Sequence, residues 1–303
     1  MRMRYLVDDI LPANQLHLFA GASGAGKTTL ALQYMRKLLD GSPWFGHAVH
    51  PPKSFAFVCC DRQAAEYEDK FEKLRVKPFP IHSLVENPTF DPLTLATAKG
   101  RTDAFPKVWE AVGCPELLVM DPISPFLPSD LRDYHAVASS LLWFTRFCIR
   151  HNITIWAHHH AGKLRMDAQF ARAQDRINGS GALLGYSGTQ IFITDAAEVH
   201  DAPGYYILTI NPHNAPPETH KLMRTDGTGA FDHWTEADVV ARDYRVLALI
   251  PEEPASIPFA EITGTAANML DVSPKTIQRT LENLLTAGKV VRERGRYAKP
   301  RVN

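Results

Sequence analysis

The sequence predicts an α/β protein: a mostly parallel sheet flanked by helices, with late antiparallel hairpins and a small winged helix-turn-helix domain at its C-terminal end. Three observations predict this. A strand, a glycine-rich loop and a helix follow one another over residues 16–39. Apolar runs of strand length then alternate with amphipathic runs, the pattern of βα units. Beyond residue 239 the pattern changes to helical stripes and a short basic hairpin. The division this suggests is 1–238 and 239–303.

Residues 4–15 are a short lead-in. An apolar strand at 16–20 runs into Gly21-Ala22-Ser23-Gly24-Ala25-Gly26-Lys27-Thr28-Thr29, a full match to GxxxxGK[ST]. Small residues let the backbone wrap a polyphosphate with successive N–H groups aimed at it, and the next helix adds its positive end. The helix expected at 28–39 stops before Gly41. Lys27 is placed to neutralise the outer phosphates, and the Thr28 hydroxyl to hold Mg²⁺. A triphosphate, ATP, with Mg²⁺ is the cofactor this implies.

A second apolar run at 54–60 ends at Asp61-Arg62, and a charged helix is expected from 64 to 74. Residues 75–105 read as irregular, with a short helix from Pro106 to 112. The run Glu116-Leu117-Leu118-Val119-Met120-Asp121-Pro122 is a strand ending in an acid. After a complete phosphate loop such an acid is expected to hold Mg²⁺ together with Thr28. An amphipathic helix at 134–150 leads to a strand at 153–157, which ends in His158-His159-His160. Neighbours on a strand face opposite ways, so three successive histidines are poor joint metal ligands. His158 or His159 is instead a candidate sensor of the terminal phosphate, or a plain turn histidine.

Residues 161–180 form a long connection with Lys163, Arg165, Phe170, Arg172 and Arg176. It is either a functional loop or a solvated one. Strands follow at 190–194, 205–210 and 220–224, then a turn and a last strand at 230–234. In the C-terminal part a helix is expected at 243–250, and another from Ser273 and Pro274 to 287. Pro274 suits a first helical position. From 273 onward eight basic residues face two acidic ones, among them Lys275, Arg279, Arg294 and Arg296. That local excess suits phosphate contacts with duplex DNA; the other reading is a protein-binding winged helix with a solvated basic face.

The whole chain has 303 residues and is balanced, 33 basic against 33 acidic, so any nucleic-acid surface must be local. No apolar run reaches the roughly 18 residues of a membrane span, and no signal peptide is evident. The four cysteines lack zinc spacing and read as free thiols in a reducing cytoplasm.

Residues 5–235 resemble the RecA-fold hexameric replicative ATPases, in particular the plasmid RepA-like, AAA-type group, and more distantly DnaB-like helicases. The residues that carry the likeness are Ile10-Leu11-Pro12, the loop 21–28, the acid after the second strand, Leu118 to Pro122, the His158-His159 strand end, and Asn178 to Leu183. The resemblance implies a RecA-like core, a homo-oligomeric ring, a hexamer, and movement along single-stranded DNA. It implies that Asp61 polarises the attacking water, although the family has Glu there. Single-stranded DNA would pass the loops at 123–133 and 161–178, where Lys163 and Arg165 would grip phosphates and Phe170 would stack on a base. A basic finger reaching a neighbour's nucleotide is also implied. The usual positions hold Asn178 and the run Ile210 to Asn214, so Arg176 is the candidate, with Arg172 or Arg224 in reserve. An alternative is a nucleotide-switched DNA-binding regulator with weak hydrolysis.

Overall fold

The computed structural model describes residues 3–87, 97–160, 181–195, 205–225, 229–233, 243, 245–253, 255–270 and 274–300. A small antiparallel pair, β1 (Tyr5–Val7) and β2 (Leu11–Pro12), leads to β3 (Leu16–Gly21) and the loop before α1 (Lys27–Asp40). Gly41 ends α1 in the left-handed conformation at φ 71°, where a side chain would be strained. Next come β4 (Phe55–Cys59), α2 (Ala65–Leu74), β5 (Ile81–Ser83), α3 (Ala98–Ala111), β6 (Leu117–Asp121), a single 3-10 turn at Ser124–Phe126, α4 (Tyr134–His151) and β7 (Thr154–His160). The short α5 (Ala182–Gly185) precedes β8 (Thr189–Asp195), β9 (Tyr205–Pro212), β10 (Glu218–Arg224) and β11 (Phe231–His233).

These strands form one nine-stranded sheet in the order β11-β10-β9-β8-β3-β7-β6-β4-β5. The pairs β3–β7, β3–β8, β6–β7, β4–β6 and β4–β5 are parallel, and β10–β11 is antiparallel. The mostly parallel sheet with a late antiparallel extension is thus present. β7 lies between the strand that feeds the glycine-rich loop and the strand that ends in Asp121.

Period-two alternation sorts the side chains. Leu18, Ala20, Ala56, Val58, Leu118, Met120, Ile155 and Ala157 join a core with Phe105, Val108, Val137, Leu141 and Phe144 from α3 and α4. The intervening residues face α1 and α2: Phe57 meets Tyr67 edge-on, and Trp156 meets Trp44 just after α1. His17 is buried on β3 with its ring donating to the Pro12 carbonyl at 2.7 Å. Its burial pulls the imidazole pKa down to about 4, so it is neutral near pH 7.

Three sequence expectations change. The segment expected to be irregular holds β5, and α3 starts well before Pro106, capped by the Thr97 hydroxyl accepting from Gly100 N at 2.8 Å. Proline inside a helix costs about 3 kcal/mol. Full burial of Phe105 and Val108 offsets that, at roughly 1.5–3 kcal/mol per large apolar side chain. β7 also runs on through all three histidines instead of ending at 157.

The chain divides into two compact units, 1–194 with 207–220 and 195–206 with 221–303. The division suggested at 238 falls inside the second. Within that unit, helical residues at 245–249 precede β12 (Ile257–Pro258), α6 (Phe259–Leu270), α7 (Pro274–Thr286), β13 (Val291–Glu293) and β14 (Arg296–Ala298). Ile262, Ala266, Ile277, Leu281, Leu284, Val290 and Tyr297 form its own core. The three strands pair antiparallel in the order β12-β14-β13. The β13–β14 turn is Arg294-Gly295, both at positive φ, as a two-residue hairpin turn requires.

Phe105 meets Phe126, Phe144 and Phe147 edge-on at 5.0–5.5 Å. Phe105→Ala is expected to lower unfolding free energy by about 3–5 kcal/mol, read by urea denaturation.

Candidate active site

The glycine-rich loop spans 21–26 between β3 and α1. Gly24 and Gly26 have φ of 80° and 88°, which side chains rarely adopt. A Cβ on Gly21 would lie 2.6 Å from Ile193 Cγ2 and 2.8 Å from the Ile193 carbonyl on β8, so β3 and β8 approach here only without a side chain. Lys27 is 7% exposed and its Nζ donates to the carbonyls of Gly21 and Ala22 at 2.8 and 2.9 Å. Burial pushes the ammonium below its usual range, while Asp121 pulls it back up. Thr29 is buried on the same first turn.

Across the sheet face, the Thr28 hydroxyl donates to Asp121 Oδ2 at 2.8 Å. Tyr67 Oη donates to the same oxygen at 3.1 Å. His158 Nδ1 is 2.9 Å from Asp121 Oδ1. Neither His158 ring nitrogen makes a well-aligned hydrogen bond, so this contact is electrostatic in character. Burial would raise the Asp121 pKa, but the charge available on His158 and the hydrogen bonds at the carboxylate overcome it and hold the group well below the usual carboxylate range.

Residues on one strand face are two apart, and the strand pairing brings Cys59 and Asp121 level. Asp61 returns to that face: its Oδ1 is 4.0 Å from Cys59 Sγ. Its side chain is 44% exposed and 3.8 Å from the Arg62 guanidinium. Burial first, then the negative charge of Asp121, push its pKa up, while Arg62 and His160 pull it down. A half-open carboxylate with a raised pKa is suited to accept a proton from water.

His158 is fully buried and is packed edge-on by Phe19 at 5.3 Å. It lies beneath Asp121 and does not open to the mouth. His159 pairs level with Ala20, on the side of the α3–α4 core. His160 pairs level with Gly21, is exposed, and is within electrostatic reach of Lys27, Asp121 and Asp61. The strand ends three residues later than the sequence suggested, at His160 rather than 157. Tyr67 had no signal at all, since Tyr67, Phe71 and Leu74 read as one buried helical stripe.

Lys163, Arg165, Phe170, Arg172 and Arg176 lie outside the described residues. Arg224 is described, and its Nε donates to the Gly229 carbonyl at 3.3 Å. In the 123–133 loop, Ile123, Phe126 and Leu127 are buried, while Arg132 is exposed and pairs with Asp130. Lys275 and Arg294 are exposed, Arg279 is half-buried, and Arg296 donates to Ser256 Oγ at 2.8 Å and to the Ser256 carbonyl at 2.6 Å. Cys59, Cys60 and Cys148 are buried thiols and Cys114 is exposed. Among the described residues no helix is long and apolar enough to cross a membrane.

The donor set suits magnesium nucleotide. Thr28 and Asp121 form an all-oxygen pair of the kind a hard divalent ion takes. The loop's strained glycines and the buried Lys27 frame a phosphate site at a helix N-terminus. Fold and site together define a P-loop ATPase built on a large, mostly parallel sheet flanked by helices. The AAA domain family model matches residues 2–166, more than half of the chain, and the chain belongs to that family. No curated protein matches the chain in sequence. Among solved structures it is similar to a KaiC-like protein from the hyperthermophilic archaeon Pyrococcus horikoshii. That match has 13% identity and a TM-score of 0.49, covering 77% of this chain and 99% of the other.

Because the Asp121 pKa is depressed by folding, its ionised form stabilises the fold above the unfolded value, and that contribution is lost as pH falls. Relative to Asp121→Asn, the wild type is expected to lose stability below about pH 4–5, where an unfolded aspartate begins to protonate. Paired urea titrations from neutral to acid pH measure this.

Proposed function

We propose that the chain is an ATP-hydrolysing DNA motor, a ring-forming helicase of the RepA-like kind that moves along single-stranded DNA. The observation that carries the hydrolytic part is the Thr28–Asp121 hydrogen bond, which sets an oxygen donor pair beside Lys27. Mg²⁺, when bound, neutralises charge on the outer phosphates. Lys27 turns from the loop carbonyls to the phosphates. Asp61, beside Arg62 and with its pKa raised, orients a water and takes its proton. His160, within electrostatic reach of Lys27 and Asp61, would sense the terminal phosphate, and His158 beside Asp121 would steady its carboxylate. Hydrolysis at subunit interfaces would move the loops at 123–133 and 161–178 along the strand, with Arg176 as the finger.

The C-terminal helix, helix and hairpin read as a winged helix. Lys275 on the first turn of α7 and Arg294 at the hairpin tip are exposed cations suited to duplex phosphates. One observation favours the second reading, a nucleotide-switched DNA-binding regulator: β9 (Tyr205–Pro212) carries no Lys or Arg to serve a neighbour's nucleotide.

Single-stranded DNA is expected to raise the wild-type ATPase rate, and Lys27→Ala to abolish turnover with and without DNA. Folded wild type with unstimulated ATPase rules out the motor and leaves the regulator. Deletion of 241–303 is expected to spare ATPase and weaken duplex binding in a gel-shift titration. Unchanged duplex affinity assigns the tail to a protein partner.

A further inference from the structure

Asp121 is held by more than the nucleotide loop. Tyr67, on the inner face of α2, is fully buried, and its hydroxyl shares Asp121 Oδ2 with the Thr28 hydroxyl. His158 faces the other oxygen, so the carboxylate is engaged at both ends. The tyrosine ring is itself fixed. Phe57 meets it at 5.4 Å and 61°, and Lys70 Nζ stands 4.9 Å from its centroid. Packing explains the ring but not the hydroxyl. A phenylalanine would fill the same buried stripe with Phe71 and Leu74. A hydroxyl placed in such surroundings costs desolvation unless it finds a strong acceptor, and a carboxylate is one.

We propose that Tyr67 is a positioning residue for the nucleotide's Mg²⁺, its hydroxyl holding the Asp121 carboxylate in the orientation from which, with Thr28, it receives the metal. This rests on the ATPase reading and deepens it. Tyr67 acts through Asp121 and does not itself meet metal or nucleotide. A carboxylate fixed from behind loses no rotational freedom when the ion arrives, so the ion is bound more tightly. Loss of such an outer contact typically weakens metal affinity by about 10- to 100-fold. The placement has a second effect. α2 follows Asp61 and Arg62 after two residues of turn, so the Tyr67 bond also ties the segment carrying the candidate base to the metal-holding acid.

The test uses Tyr67→Phe in the full chain and reads binding of a fluorescent ATP analogue, first in EDTA and then across a Mg²⁺ titration. Affinity in EDTA is expected to stay within about twofold of wild type, while the Mg²⁺ concentration for half-maximal enhancement rises about tenfold or more. Phe57→Leu touches the same ring and removes no hydroxyl. It is expected to lower the melting temperature and leave the Mg²⁺ curve in place. An unmoved Mg²⁺ curve in Tyr67→Phe, or an equal shift in Phe57→Leu, overturns the proposal. Should wild type bind no nucleotide with or without Mg²⁺, the ATPase reading falls and takes this one with it. Mg²⁺-dependent binding kept in full by Tyr67→Phe sinks the tyrosine role alone.

Discussion

The hydrogen bond from Thr28 to Asp121 is the constraint on which the rest of the site depends. Its two residues are 93 apart in the chain and belong to different elements. They meet because β7 alone separates β6 from β3, the strand that feeds the loop before α1, and because the Asp121 side chain leaves the sheet on the face where α1 carries Thr28. A one-residue slip of β6 would turn Asp121 into the α3–α4 core and bring Met120 to the loop. The apolar alternation of Leu118 and Met120 against that core prevents the slip. Packing on one face of the sheet thereby sets the chemistry on the other.

The same alternation gives the neighbouring groups different duties. His158 and His160 share a face but differ in depth. The deeper one is enclosed by Phe19 and Phe57 and contacts Asp121; the outer one is exposed level with Gly21. Asp61 and Asp121 are a pair of carboxylates pushed apart in basicity. Hydrogen bonds and a histidine hold Asp121 ionised, and its charge helps to raise Asp61. One acid is thereby suited to a cation and the other to a proton.

The second unit follows a simpler logic. Ile277, Leu281 and Leu284 supply a buried stripe on α7, and Tyr297 closes the core from β14. Its cations are not equivalent. Arg292 lies over the Tyr297 ring, and Arg296 is engaged with Ser256, whereas Lys275 and Arg294 face solvent. A local count of positive charge therefore overstates what is available to an outside phosphate, because guanidinium groups also serve the unit that carries them.

The amino-acid order alone determined the glycine-rich loop, both acids, the sheet class and most helices, because each is written in a local pattern: a turn that needs glycine, an apolar run that ends in a carboxylate, a 3.6-residue stripe. It missed the true start of α3, since Pro106 is a helix breaker unless Phe105 and Val108 have a core to enter. It placed the end of β7 too early, because histidines look like a turn until a neighbouring strand pairs with them. Tyr67 was not legible at all, for an aromatic residue in an apolar stripe carries no mark of what its hydroxyl meets. Only the tertiary structure decided that, along with which histidine is enclosed and which is open. Both depend on distances across strands far apart in the chain, and residue order does not encode such distances locally.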